Sequence, residues 1–390
     1  MIVRTPAAQV TDQWAVETIT DDDSLAAVAA EWDDLFARCP AATPFQSYAW
    51  IASWWRTYGR PGRLRVVLVR HGERLVAAAP FHLERRGAAR VLSPLGGAVS
   101  DFADVLIAED ERAEAANVLA GALLARRDWD VVDLRETHPG AVAGHALRAA
   151  WRGPHWELPA SLCLELPSSP MEDLVRALPA HTRKTVRRRL NQLDKVGVEV
   201  REVDAADADR AVGDLLRLHH RQWQGRGVNA EHLRPRFAAF LTGAVGRMVA
   251  TGQATIFEYR VDGELVASSL VVVGPDLAGG YLYGADPGLR DKVDVITMLL
   301  RDTLPLAYRR GCSTMSMLRG AEAYKMRWRP REAVNRRLLF ARPGSVRALA
   351  YAGAVRSGRY AIRTAKQRLP WLKAARDRAR DAVGKLRSRP

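Results

Sequence analysis

The chain has 390 residues, with 59 Lys+Arg against 44 Asp+Glu and a net charge of +15. That length exceeds a single small domain and favours two, while 48% apolar residues and 11 Trp exclude an acidic disordered chain. The excess charge is local: residues 344–390 hold 13 Lys+Arg and two acids, so this tail carries +11 and the remainder +4.

Residues 1–14 lack the apolar core of a secretory signal. The longest apolar run, 265–273, falls short of the roughly 18 residues that span a bilayer. Cys39, Cys163 and Cys312 are too few and too far apart for a disulfide framework or a zinc knuckle. These features lead to the expectation of a cytoplasmic protein.

Along the chain, the acids of 20–23 ahead of Ser24 announce a helix in which Leu25, Val28, Trp32, Leu35 and Phe36 recur at helical spacing. Residues 47–58 predict a second helix, ended at Gly59. Residues 64–69 and 75–83 predict strands around a turn at His71-Gly72-Glu73. A loop with Ser100, Asp101 and Asp104 leads to a helix over 111–125 and a buried strand over 129–134. The same order then recurs: a helix over 213–224, a strand over 254–259, a turn over 261–264, and a strand over 265–273. Residues 70–79 and 260–269 share Arg, Leu, Val and Ala at a fixed offset. Arg126-Arg127 before a strand ending Leu134-Arg135 parallels Arg309-Arg310 before Leu318-Arg319. Two matches in one order indicate a duplicated mixed α/β unit.

The Pro/Ser-rich residues 166–170 predict a linker. The organisation expected is an N-terminal segment (1–19), a first unit (20–165), a second unit (171–343) and a basic amphipathic helical tail (344–390). In the tail Val355, Ile362 and Leu369 repeat every seven residues beside Arg356, Arg359, Arg363 and Lys366, and Pro370 separates two helical stretches. Three readings of it stand open: an anionic membrane surface met by Val355, Ile362, Leu369, Trp371 and Leu372, tRNA phosphates, or packing back on the body.

Pro44-Phe45-Gln46-Ser47 with Trp50, Ser100-Asp101 with Asp104, the basic stretch 181–190 leading to Gly197-Val198, and Arg319-Gly320-Ala321-Glu322-Ala323-Tyr324-Lys325 together resemble the CelD/BcsL-type acetyltransferase-like family. That family belongs to the GNAT superfamily and is similar to the FemAB-type aminoacyl transferases. The resemblance covers about residues 20–342 and implies two tandem GNAT-like domains of mixed α/β (α+β) class with a C-terminal basic helical extension. It further implies an acyltransferase acting on a saccharide, cell-envelope precursor or related small molecule, in polysaccharide biosynthesis, with acetyl-CoA or another acyl-CoA as donor.

Acyl transfer needs an oriented nucleophile and donors where oxyanion charge develops. From the resemblance, Lys325 would stabilise that charge, Glu322 would orient the lysine or take the nucleophile's proton, and Tyr324 would wall the site. Ser100, Asp101, Asp104, His219, Trp223, Ser269, Tyr283 and Arg319 are the candidate substrate contacts, and Arg183, Arg187 and Arg188 the candidate phosphate contacts. Each has a plainer reading: a solvated ion pair for Lys325 with Glu322, helix caps for the loop acids, a packed imidazole for His219. Of Ser268 and Ser269 only one can face the cleft, because strand residues alternate. His219-His220 cannot share one metal ion, since helix neighbours point about 100° apart, and no metal site is expected.

Residues 281–287, which include Gly284, followed by 288–294 and a helix from Val295, stand where a GNAT fold orients the reacting groups and receives the cofactor's pyrophosphate. The run Arg290-Asp291-Lys292-Val293-Asp294 lacks the usual glycines and brings Asp291 and Asp294 to that place, partly offset by Arg290 and Lys292, which speaks against CoA. Two alternatives stand beside the acyl-CoA reading: a FemAB-like aminoacyl-tRNA-dependent transferase, and a catalytically silent GNAT-fold binding protein.

Overall fold

The computed structural model describes residues 14–223, 230–320 and 322–368. The first half contains β1 (Trp14–Ile19), α1 (Asp22–Ala27), α2 (Ala29–Ala37), α3 (Tyr48–Tyr58), β2 (Leu64–His71), β3 (Arg74–Arg86), β4 (Ala89–Pro94), β5 (Leu106–Ile107), α4 (Arg112–Ala125), β6 (Val131–Thr137), α5 (Arg148–Ala150) and β7 (His155–Pro167). Then come α6 (Met171–Ala177), α7 (Ala180–Val196), β8 (Glu199–Glu202), α8 (Ala208–Trp223), α9 (Pro235–Ala250), β9 (Ala254–Val261), β10 (Glu264–Val273) and β11 (Leu277–Ala285). The chain continues through α10 (Leu289–Lys292), α11 (Val295–Arg309), β12 (Thr314–Arg319), α12 (Ala323–Met326), β13 (Arg331–Ala341) and α13 (Val346–Arg368).

The strands join in one sheet of order β1-β2-β3-β4-β6-β13-β7-β12-β11-β10-β9-β8, with β5 beside β3. Read from either end, four antiparallel strands lead to one parallel join, β4 to β6 or β11 to β12. The repeat seen in the sequence falls on the matching hairpins β2–β3 and β9–β10. In the second hairpin Asp262 (φ 51°) and Gly263 (φ 79°) supply the two positive φ angles that a tight two-residue turn needs.

The sheet's centre departs from simple tandem units. β7 closes the first half in sequence yet pairs with β12, whereas β13 closes the second half and pairs with β6. The two lie side by side, antiparallel. Each half is thereby completed by the other's last strand. Leu166 and Pro167, expected in a linker, extend β7 and pair with β12, because their backbone groups find ladder partners there.

Alternation along β9 and β10 separates the two faces. Ile256, Leu270 and Val272 meet Phe240 and Leu241 of α9, while Phe257, Tyr259 and Val271 meet Met298 and Leu304 of α11. The helix expected over residues 25–36 is two helices, parted at Val28, with Asp21 accepting a bond from the Ser24 N–H at 2.8 Å. α11 runs as one helix with Pro305 inside it. Across the halves α3 packs on α9, where the Ser53 hydroxyl donates to the Phe240 carbonyl at 2.7 Å.

The tail differs from a detached extension. Ala348 and Ala352 of α13 are buried against Val91, Val131 and Leu339, Val355 packs beside them, and the Tyr351 hydroxyl donates to Asp133 at 2.7 Å. Val355 is therefore turned toward the sheet. The side chain of Ile362 and residues Leu369, Trp371 and Leu372 lie outside the described residues. Among those described, no helix is long and apolar enough to cross a membrane.

Candidate active site

The site begins where the second parallel join fails. β11 and β12 pair at Leu277–Thr314, Ala278–Met315 and Gly279–Ser316 and then part. The wedge is Leu318, held at φ 54° within a register break of β12. It packs where a Cβ on Gly279 would lie 2.9 Å from its Cδ2, so glycine at 279 makes room for it. On its other side β11 bulges: Leu270 pairs with Leu282 and Val271 with Gly280, leaving Tyr281 as the extra residue.

Strands that part leave backbone groups without a ladder, and α8 takes up two of them. His219 Nδ1–H donates to the Tyr283 carbonyl at 2.8 Å, and Gln222 Oε1 accepts from the Ala285 N–H at 2.8 Å. The approach is backbone to backbone at Gly284, where a Cβ would lie 2.3 Å from the His219 nitrogen. Burial lowers the His219 imidazole below its ordinary value, so it serves as a neutral donor.

Between this V and α11 lies a cavity of about 90 Å³, walled by Leu282, Ile296, Leu299, Leu300, Met315 and Met317. Ser269, Tyr283, Tyr324 and Lys325 also line it, and Gly280 is exposed there. Ser269, and not Ser268, thus faces this space. Tyr283, Ile296 and Tyr324 are shared with a wider opening of about 560 Å³ bounded by Arg188, Arg189, Arg290, Lys292 and Arg327. A cationic mouth therefore leads into an apolar chamber.

At the mouth the α11 N-terminus is already capped. Asp294 Oδ1 accepts from the Thr297 N–H at 2.9 Å, and Oδ2 meets Arg189 at 3.1 Å and Arg327 at 3.0 Å. A carboxylate thus sits where a pyrophosphate would use the helix end. Arg188, Arg290 and Lys292 have no acidic partner among the described residues. Arg183 and Arg187 lie further along α7, beside a second, exposed hollow. There Arg183 donates to the Arg176 carbonyl at 3.1 Å and Arg187 pairs with Glu172.

Lys325 is buried, and its ammonium faces the carbonyls of Met317 (2.9 Å), Arg319 (3.3 Å) and Gly320 (3.4 Å) and the Glu322 carboxylate (2.9 Å). Three protons serve four acceptors. In this arrangement the lysine ties the end of β12 to α12 and has no donor left for a substrate oxyanion. Glu322 is exposed at the opposite end of that pair. Tyr324 stands where mouth and chamber meet, and burial together with Tyr283 and Glu322 raises its phenol well above the ordinary value.

The remaining first-half candidates are internal. Asp104 is 2% exposed and accepts from the Val105, Val142 and Ala143 N–H groups at 2.7–2.9 Å, so it fastens the 143–147 turn and presents nothing to a substrate. Burial pushes its carboxyl up to about 6. The Ser100 hydroxyl accepts from Trp50 Nε1 at 2.8 Å. Asp101 pairs with Arg319, which also donates to the Ala98 and Ser100 carbonyls. This ion pair locks the loop after β4 onto the end of β12. Burial raises the Asp101 carboxyl, against the pull of Arg319. Asn335 Nδ2 adds a bond to the Asp101 carbonyl at 3.2 Å. The Trp223 side chain lies outside the described residues.

Sequence reasoning missed Gln222, Asn335 and the glycines at 279 and 280. The run Gly279-Gly280 in a strand was the one available signal, since strand glycines mark bulges and close approaches. No His/Cys/Asp/Glu cluster able to hold a metal ion occurs among the described residues.

Residues 180–326 match the family model described as an acetyltransferase (GNAT) domain. This span resembles a GNAT-type acetyltransferase domain. It runs from α7 to the end of α12 and supplies every lining residue of the chamber and all of those at its mouth except Arg327. No curated protein matches the sequence. The crystal structure of FemX superposes with a TM-score of 0.57 at 11% identity, covering 80% of this chain and 95% of that one. L-PGS from Bacillus licheniformis gives 0.51 at 13% identity, covering 84% and 94%. At such identities the likeness establishes the fold alone.

Proposed function

We propose that the protein transfers an acyl group from a phosphate-bearing carrier to an amine or hydroxyl, with the chemistry confined to the second half. The observation that carries this reading is the continuity of the cationic mouth with the chamber at the β11–β12 parting. Arg188, Arg290 and Lys292 would hold carrier phosphate as charge-assisted partners. The helix end would not, because Asp294 fills it.

With the acyl group in the chamber, its carbonyl would lie along the bulged stretch of β11 between the lining residues Gly280 and Leu282, where a main-chain N–H would be the donor toward the developing oxyanion. The acceptor's nitrogen or oxygen forms a bond to the carbonyl carbon and gives up a proton, with Glu322 as the candidate base. Collapse breaks the bond to the carrier, and the departing sulfur or oxygen takes a proton from Tyr324, which the raised phenol still holds at neutral pH. Lys325 acts here as a positioning residue for Tyr324. Arg319 and Asp101 hold the first-half loop against the same wall. A saccharide or cell-envelope precursor as acceptor, and CelD/BcsL kinship, follow from the sequence resemblance and belong to this proposal.

An aminoacyl-tRNA donor is the second reading, favoured by the capped helix end together with the exposed basic face of α7. Calorimetric titration of the full chain with acetyl-CoA, butyryl-CoA and charged tRNA separates the two. Binding of an acyl-CoA that Arg188→Glu weakens supports the first. Salt-sensitive binding of tRNA alone replaces it with the second.

A further inference from the structure

The chamber's size and lining speak to the acyl group, a question separate from the identity of the carrier. A methyl or methylene group takes about the room of a water molecule, roughly 30 Å³. The space of about 90 Å³ therefore holds about three such groups, with the carbonyl at its opening. An acetyl group would leave most of it empty, and a long chain would overrun it. The walls are aliphatic and thioether side chains from β11, β12 and α11.

Charge narrows the choice further. The ionised side chain on the lining is Lys325, whose ammonium is committed to three backbone carbonyls and Glu322. An acyl group carrying an ammonium would meet a like charge without a carboxylate in the chamber to receive it. One carrying a carboxylate would find the lysine's protons already used. Ser269 and Thr303 add hydroxyls, which cannot replace the hydration of an ion.

We propose that this chamber selects a neutral, short aliphatic acyl group, butyryl-sized, over acetyl, long-chain and charged acyl groups. The inference rests on the reading of the chamber as the acyl seat. Gly280 gives a handle on it. A Cβ there would lie 3.6 Å from the Met315 terminal methyl, ordinary contact distance, so alanine fits and takes up about one methyl group of the space.

The test measures dissociation constants of the full chain, by calorimetry and ligand-observed NMR, for acetyl, butyryl, octanoyl, succinyl and β-alanyl thioesters. Each acyl group is offered on CoA and on N-acetylcysteamine, which carries no phosphate. Each methylene up to butyryl should tighten binding about fourfold, making butyryl roughly 15-fold tighter than acetyl. Octanoyl and both charged groups should bind at least tenfold more weakly than butyryl. Gly280→Ala should move the optimum one carbon shorter and Leu299→Ala move it longer. The same order in both series supports the inference, and a CoA series no tighter than the N-acetylcysteamine series removes the phosphate mouth while leaving the chamber's selectivity standing. Affinity independent of the acyl group, equal binding of charged groups, or no binding of any thioester overturns the inference.

Discussion

Gly284→Ala tests the geometry on which the site depends. The added Cβ would lie 2.3 Å from the His219 nitrogen, 2.7 Å from the Leu218 carbonyl carbon and 2.8 Å from the Leu215 oxygen, all of them helix backbone. Side-chain rotation offers no escape, so α8 must withdraw from β11. Overpacking of this kind costs about 1–3 kcal/mol. Withdrawal also weakens the bonds of His219 to the Tyr283 carbonyl and of Gln222 to the Ala285 N–H, each contributing about 0.5–1.5 kcal/mol. A total near 3 kcal/mol is expected, read as a lower urea midpoint with unchanged slope. Gly213→Ala is the control: it lies in the same helix with nothing within 4 Å of the added Cβ, and should stabilise by about 0.5–1 kcal/mol. A Gly284→Ala protein within about 0.5 kcal/mol of wild type would refute the close approach of α8.

Asp101→Asn leaves the Arg319 guanidinium without its buried counter-charge, and a loss of about 3 kcal/mol in urea unfolding is expected; no loss would mean the halves are held otherwise. Tyr324→Phe should lower kcat about 100-fold or more while leaving Tm unchanged, as befits a lost proton donor, and unchanged kcat would remove that role. Burial pushes the imidazoles of His82 and His232 down to about 4 in the folded chain, against about 6.5 unfolded. Below pH 6.5 the unfolded chain binds protons that the folded chain refuses. Stability is thus full above that pH, falls as pH drops toward 4, and levels below it. His82→Phe should shrink that loss by about 3 kcal/mol in unfolding measured at pH 7 and pH 4.

The hairpins at 70–79 and 260–269 were legible because a period-two apolar pattern around a turn is local information. The exchange of β7 and β13 was not, since nothing within either strand names its partner. Asp294 read as an unwelcome acid at a phosphate seat; its other signature, an Asp three residues before Thr297, is that of an N-cap, and the cap is what forms. Lys325 and Glu322 were found by motif, yet the pairing of Lys325 with carbonyls depends on the turn of Leu318 and Gly320 into positive φ. Gln222 belongs to no motif and owes its position to glycine at 284, on β11 rather than on its own helix. Val355 followed a seven-residue repeat that also suits a membrane, and the sheet beneath α13 decides where it turns.

The central claim is that the donor enters the second half at the β11–β12 parting. Hydrogen exchange of the full chain with and without saturating butyryl-CoA tests it most directly. Protection is expected at 280–283, 290–297 and 324–327, with the first-half join at 91–94 and 131–135 unchanged. Protection confined to that first-half join, or no protection at the second-half parting, would contradict the account.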